Sequence, residues 1–328
     1  MFHIGRLRGL AMAAMAAMAA LSIAFVQPAA AQFKPTRDVE FIIPYGLGGG
    51  ADLLARTIIK IATDEKLVPT SIVAVNRPGG GSATGVGHVV ASKSGDPHTL
   101  VLINPQTQIT PLRVADAKGW RHLTPVYNLM LDDYLLFVRA NSPFPNASEL
   151  VKQAKAKPPR SVSVGSAGTA DDMAIAVFQS AAGVQLNIVR FNSGGEALTA
   201  LLGGHVDLAA GNPLEFMGQL QSKAVRALGV FRPTRFEAMS DVPTMKEQGI
   251  DVAPFQMWRG VALPPGVTPD VVAYWQDIMK KVADSKAFKD YITANVAALH
   301  PLPAPQFVTF LGAQEALYKD MLAKLGQN

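Results

Sequence analysis

Val39-Glu40-Phe41-Ile42-Ile43-Pro44-Tyr45 runs directly into Gly46-Leu47-Gly48-Gly49-Gly50, after which Leu54, Ile58 and Ile61 fall on one face of a helix. An apolar run of this length reads as a buried strand, the glycines as a tight turn, and the 3.6-residue spacing as an amphipathic helix. The same unit recurs downstream. Strands are predicted at Ser71–Val75, Thr99–Ile103, Ser161–Gly165, Asn187–Phe191 and Val206–Ala210, and helices at Ser148–Ala156, Asp171–Ala182 and Glu196–Leu202. Alternation of this kind argues for an α/β protein with largely parallel sheets. Val126–Met130 and Tyr134–Val138 lie close together and are expected to carry the chain from one lobe to another.

Further on, Thr244-Met245-Lys246-Glu247 is a capping box that Gly249 stops after little more than a turn. Met257–Leu263 reads as a strand, Thr268-Pro269 opens a helix carrying Val272, Trp275 and Met279, and a last helix runs from about Gln306 to Lys324.

The chain has 328 residues, 49% hydrophobic and 17% charged, and no cysteine. Disorder and coiled coil are excluded by that balance, and disulfides, thiolate nucleophiles and Cys-ligated metals by the missing sulfur. Arg6 and Arg8, an apolar run from Leu10 to Val26 and the small residues Ala29-Ala30-Ala31 predict a secretory signal cleaved after Ala31. Removing the two arginines takes the net charge from +5 to +3. With no basic run interleaved with aromatics, a nucleic-acid partner is not expected. A remaining length near 300 suggests two lobes.

Catalytic constellations are scarce. His88, His98, His122, His205 and His300 have no paired metal-ligand spacing, and no serine lies in G-x-S-x-G. No catalytic or metal site is predicted. Instead, three glycine-rich turns each open a helix: Gly46–Gly50, Gly165-Ser166-Ala167-Gly168-Thr169, and Asn192-Ser193-Gly194-Gly195. Such turns bring backbone N–H groups and the positive end of a helix dipole to a ligand, so together they point to an anion held between lobes. A competing reading takes Gly46–Ala51 as the G-x-G-x-x-[GA] of an exported NADP-dependent oxidoreductase. Its weakness is that the second strand ends in Asn76-Arg77 rather than in an acidic, ribose-binding residue.

Pro44-Tyr45-Gly46-Leu47-Gly48-Gly49-Gly50-Ala51-Asp52, Asn76-Arg77-Pro78-Gly79, Gly194-Gly195-Glu196-Ala197-Leu198, Leu201–Asp207, Asp241-Val242-Pro243-Thr244 and Trp258-Arg259-Gly260 follow one another in an order that resembles the Bug receptors. These are the solute-binding subunits of tripartite tricarboxylate transporters. The resemblance covers essentially the whole chain after the signal. It implies a type II periplasmic binding fold: two α/β lobes, 32–134 plus 258–328 and 135–257, joined by two crossover strands. It also implies a monomeric periplasmic receptor with no cofactor, delivering a small organic acid (a di- or tricarboxylate, an aromatic acid or an amino acid) to membrane subunits of such a transporter. Carried onto this sequence, the family's grip puts Tyr45, Gly46, Leu47, Gly48 and Gly49 on the ligand carboxylate. Ser166, Gly168, Thr169, Ser193 and Gly194 face them from lobe two, with Asn104, Thr107 and Asn212 at further strand ends.

Two departures from the family pattern bear on the ligand. Leu47 replaces a proline common among relatives, and Asp171-Asp172-Met173 occupies a stretch where many carry a histidine. The aspartates either favour the helix N-terminus or face the cleft, where they would welcome an ammonium group. Arg259, beside Trp258, either clamps a carboxylate or forms a salt bridge.

Overall fold

The computed structural model describes residues 33–326, so the signal segment and its cleavage point lie outside the described residues. Two sheets organise the chain. In the first, β1 (Val39–Ile43), β2 (Ile72–Asn76) and β3 (Thr99–Ile103) run parallel, and β4 (Thr124–Asp133), β10 (Gln256–Leu263) and β11 (Ala298–Pro303) complete the order β11-β4-β10-β3-β1-β2. In the second, β6 (Ser163–Ser166), β7 (Asn187–Arg190) and β8 (Leu208–Gly211) run parallel beside β5 (Leu135–Arg139) and β9 (Val225–Val230), in the order β7-β6-β8-β5-β9.

The sheets are thus mixed rather than largely parallel. The cause is the traffic between them: β10 pairs antiparallel with both β3 and β4, and β5 antiparallel with both β8 and β9. Only Tyr134 separates β4 in one sheet from β5 in the other. The chain returns from β9 through residues 231–255 to β10.

Helices α1 (Gly50–Asp64), α2 (Ala83–Ser92) and α3 (Gln106–Arg113) follow β1, β2 and β3 in turn. In the second half, α4 (Ala147–Lys155) precedes β6, and α5 (Thr169–Ala182), α6 (Gly194–Leu202) and α7 (Pro213–Gln221) follow β6, β7 and β8. Every residue of β3 is buried, as a strand covered on both faces requires. The capping box forms as read, with Glu247 N–H on Thr244 Oγ1 at 3.0 Å and Thr244 N–H on a Glu247 carboxylate oxygen at 2.7 Å. Its helix is a single 3₁₀ turn, Lys246–Gln248.

The C-terminal region adds α8 (Pro269–Asp284), α9 (Lys286–Ala294) and α10 (Ala304–Lys324). The last of these serves both sheets. Phe307 and Leu311 pack with Trp258 and Val101 of the first, while Tyr318, Met321 and Leu322 enter the cluster of Tyr134, Phe178 and Phe255 that covers the second. Trp258 Nε1–H donates to the Tyr318 hydroxyl at 3.1 Å, which fixes the helix on β10.

Candidate functional site

The segments that follow the C-terminal ends of all six parallel strands, β1, β2, β3, β6, β7 and β8, meet in one interlobe cleft. Ligands of open α/β sheets bind beyond strand C-termini because the loops and helix N-termini there present free backbone donors. The cleft has two compartments that share Tyr45, Gln106, Ala167 and Asn192.

The outer compartment is a cavity of about 350 Å³. One wall is the loop Gly79-Gly80-Gly81-Ser82, where four successive positive φ angles (131°, 56°, 59° and 83°) lead into α2. The opposite wall is Gly168, the N-cap of α5, with Thr169 and Arg190. Two helix N-termini therefore converge on it from opposite lobes. The Arg190 guanidinium is anchored by Asp172, whose carboxylate accepts from Arg190 Nε at 2.9 Å and from Ser166 Oγ at 2.7 Å.

The inner compartment is only about 20 Å³. Around it the lobes interlock. Gly46 N–H donates to Asn192 O at 3.0 Å, and Gly50 N–H, at the start of α1, donates to the Glu215 carboxylate of α7 at 2.7 Å. Gly48 N–H is held by Asp52 at 3.0 Å. Three backbone donors of the first turn are thus satisfied within the protein.

Arg259, 2% exposed, donates to Asp132 at 3.3 Å and to Asn212 Oδ1 at 3.2 Å, which makes it a buried ion pair that also reaches the second lobe. Asp171 Oδ1 accepts from the Tyr134 hydroxyl at 2.8 Å and Oδ2 from Ala167 N–H at 2.7 Å. This carboxylate therefore caps the segment entering α5 and also lines the inner cavity.

The predicted residues divide accordingly. Tyr45, Gly168 and Thr169 line the outer compartment; Tyr45, Gly49, Asn104, Ser193, Gly194, Asn212 and Arg259 line the inner one. Gly46, Leu47, Gly48, Thr107 and Ser166 line neither: the Leu47 side chain is 65% exposed, and the Thr107 hydroxyl donates to Asn104 O at 2.7 Å. Sequence reasoning missed Glu215, Asp132, Gln106 and the Gly79–Ser82 loop. The signal available was a fourth strand–turn–helix unit at Asn212-Pro213, with Glu215 in its first turn.

Burial pushes Asp132 up to about 7 against the opposing Arg259 charge, with Glu215 and Asp133 adding to the rise. Asp171 is also pushed to about 7, by burial and the Glu215 charge, despite its two hydrogen bonds. The folded chain then holds protons that the unfolded chain releases near pH 4. Stability contributed by this pair is full below the unfolded value and is lost as pH rises through about 7. Because burial holds His88 and His300 below their ordinary values and so works in the opposite direction, the test is a difference: between pH 5 and 8 the urea midpoint of Asp171→Asn should fall less, or rise more, than that of the wild type. An unchanged slope in the variant would contradict the assignment.

Residues 54–326 match the sequence model of TctC, the tripartite tricarboxylate transporter family receptor. The chain belongs to this family. A protein of Cupriavidus necator, named for its place in the gbd 5′ region, is 27% identical over 309 residues, covering 91% of each chain. The structure of the periplasmic binding protein BugD is similar with a TM-score of 0.84 at 21% identity, covering 90% of this chain and 99% of that one. An R. palustris protein solved with adipate gives 0.81 at 23%, covering 89% and 98%. These likenesses establish the two-lobed periplasmic-binding-protein fold.

TctC proteins are transport receptors, not enzymes. The nicotinamide reading of Gly46–Ala51 gains no support from these likenesses, which are to a receptor family and to periplasmic binding proteins.

Proposed function

We propose that this TctC receptor works in the periplasm as a monomer, captures a small organic carboxylate between its lobes and delivers it to the membrane subunits of a tripartite tricarboxylate-type transporter. The observation that carries this reading is the outer cavity of about 350 Å³, into which the N-termini of α2 and α5 and the Arg190 guanidinium converge. Converging helix N-termini stabilise a carboxylate through backbone donors and dipoles without requiring a dedicated cation. The adipate of the R. palustris relative supports the same ligand class. Export by a signal cleaved after Ala31 and lobes of 32–134 plus 258–328 and 135–257 belong to this proposal. Closure follows because a ligand touching both walls binds the closed state better than the open one.

Isothermal calorimetry of residues 32–328 against di- and tricarboxylates, aromatic acids, amino acids and NADP tests it. At least one small carboxylate should bind, and NADP should not. Tight NADP binding with no organic acid bound would overturn the reading.

A further inference from the structure

We propose that the ligand carries a cationic nitrogen as well as its carboxylate, and that Glu215, Asp171 and Gln106 at the inner end of the cleft select for that nitrogen. The inference rests on the receptor reading above and names its ligand class.

The inner compartment offers acceptors. The Glu215 carboxylate packs against the Cα of Gly194, where an added Cβ would lie 2.3 Å from its carboxyl carbon, and at the same time accepts the Gly50 N–H. It therefore occupies the anion position between the N-termini of α1 and α6. A ligand carboxylate directed there would meet an existing carboxylate. Asp171 lies on the same cavity, and among the described residues neither Glu215 nor Asp171 has a Lys, Arg or His partner within 4.0 Å. The guanidinium that is present, Arg259, donates through one nitrogen to Asp132 and Asn212, while its buried Nε has no hydrogen-bond partner, so it offsets one of the two carboxylates and leaves the other in excess.

A second, independent observation is Gln106. Its side chain is 5% exposed, lines both compartments and has a buried Oε1 with no hydrogen-bond partner. A buried acceptor without a donor costs free energy unless a ligand or water supplies one. A cavity of about 20 Å³ admits one water-sized group. An ammonium has that size and offers three donors. The two compartments thus differ in charge: the outer one is lined by backbone donors and by Arg190 paired with Asp172, and the inner one by the two carboxylates of Glu215 and Asp171 against the single guanidinium of Arg259. A molecule carrying both charges is complementary to the pair, whereas a plain dicarboxylate would place its second charge among acids.

The test is calorimetry with matched pairs that differ only in the amino group: aspartate and succinate, glutamate and glutarate, phenylalanine and 3-phenylpropionate, γ-aminobutyrate and butyrate. At least one amino member should bind ten-fold or more tightly than its partner. Glu215→Gln, and independently Asp171→Asn, should lower the ratio of amino-acid to partner-acid affinity toward one. Circular dichroism and thermal melts of both variants confirm folding, and the wild-type ratio decides the matter even if one variant fails to fold. If the amine-free acid binds as well or better in every pair that binds, the inference fails while the receptor reading survives. If no member of any pair binds, the inference falls, and if no other carboxylate binds either, the receptor reading falls with it.

Discussion

At pH 8, where Asp132 is ionised, replacing Arg259 with methionine should lower the unfolding free energy by about 3–5 kcal/mol, the range seen when one partner of a buried ion pair is removed. The guanidinium is 2% exposed and Asp132 1%, so neither charge can turn to water when the other is lost. Asp132 also lies within the influence of Glu215 and Asp133, both of which disfavour its ionised form. At pH 5.5 Asp132 already holds its proton, so losing Arg259 strands no charge there. The loss measured by urea denaturation should therefore be larger at pH 8 than at pH 5.5. Combining Arg259→Met with Asp132→Leu should recover much of it, because two apolar groups of matching size need no mutual compensation. A loss below about 1 kcal/mol, or one indifferent to pH, would show that the pair is more hydrated than its burial implies.

The second large effect concerns binding. Gly46→Val should reduce affinity for whichever acid of the screening panel binds best by a hundred-fold or more, while leaving each lobe folded. A Cβ on Gly46 would lie 2.9 Å from the backbone oxygen of Asn192 and 3.1 Å from Ser193 Cβ, both across the cleft, where the backbone cannot yield as a flexible side chain would. Nothing else in that contact belongs to the core of either lobe. Steric block therefore removes the closed state, and apparent affinity falls with the population of the competent conformation. Small-angle scattering at saturating acid should show the variant more extended than the wild type. Unchanged affinity and dimensions would mean that binding does not need this approach. Gly48 differs: a Cβ there meets nothing within 4 Å, and its constraint is a φ of 72°. Strain in that region costs of order 1–2 kcal/mol for other residues.

The strand–turn–helix units could be read because β1, β3 and β8 are buried apolar runs, the half-exposed β2 and β7 still carry an apolar centre, and several of the turns that follow are rich in glycine. Elements whose local chemistry contradicts their structure could not. Helix α2 contains Gly85 and Gly87; the first is required because a Cβ would lie 2.8 Å from Pro44 of β1's exit. Helix α3, Gln106-Thr107-Gln108-Ile109-Thr110-Pro111-Leu112-Arg113, is polar yet largely buried, so its periodicity carries no hydrophobic signal. Strand β11 contains Pro301 and Pro303, tolerated because it is an edge strand.

At the site, the legible residues were those on glycine turns. Glu215 resembles any acidic residue in a helix's first turn; its meaning comes from Gly50, 165 positions earlier. Asp132 is followed by Asp133, and nothing in that dipeptide marks a buried ion pair; its partner Arg259 comes from β10, 127 positions later.

Helix α10 also sets an order of events during synthesis. Residues between Tyr134 and Phe255 emerge from the ribosome well before Tyr318, Met321 and Leu322, which complete their apolar cluster. A nascent chain holding only the first 257 residues has a second sheet whose covering is unfinished, and exposed apolar surface of that kind invites association with chaperones or with other chains. Translation past Leu322 closes it, so the two lobes mature together, and a fragment ending near Leu263 is a poorer folding unit than its sheet alone implies.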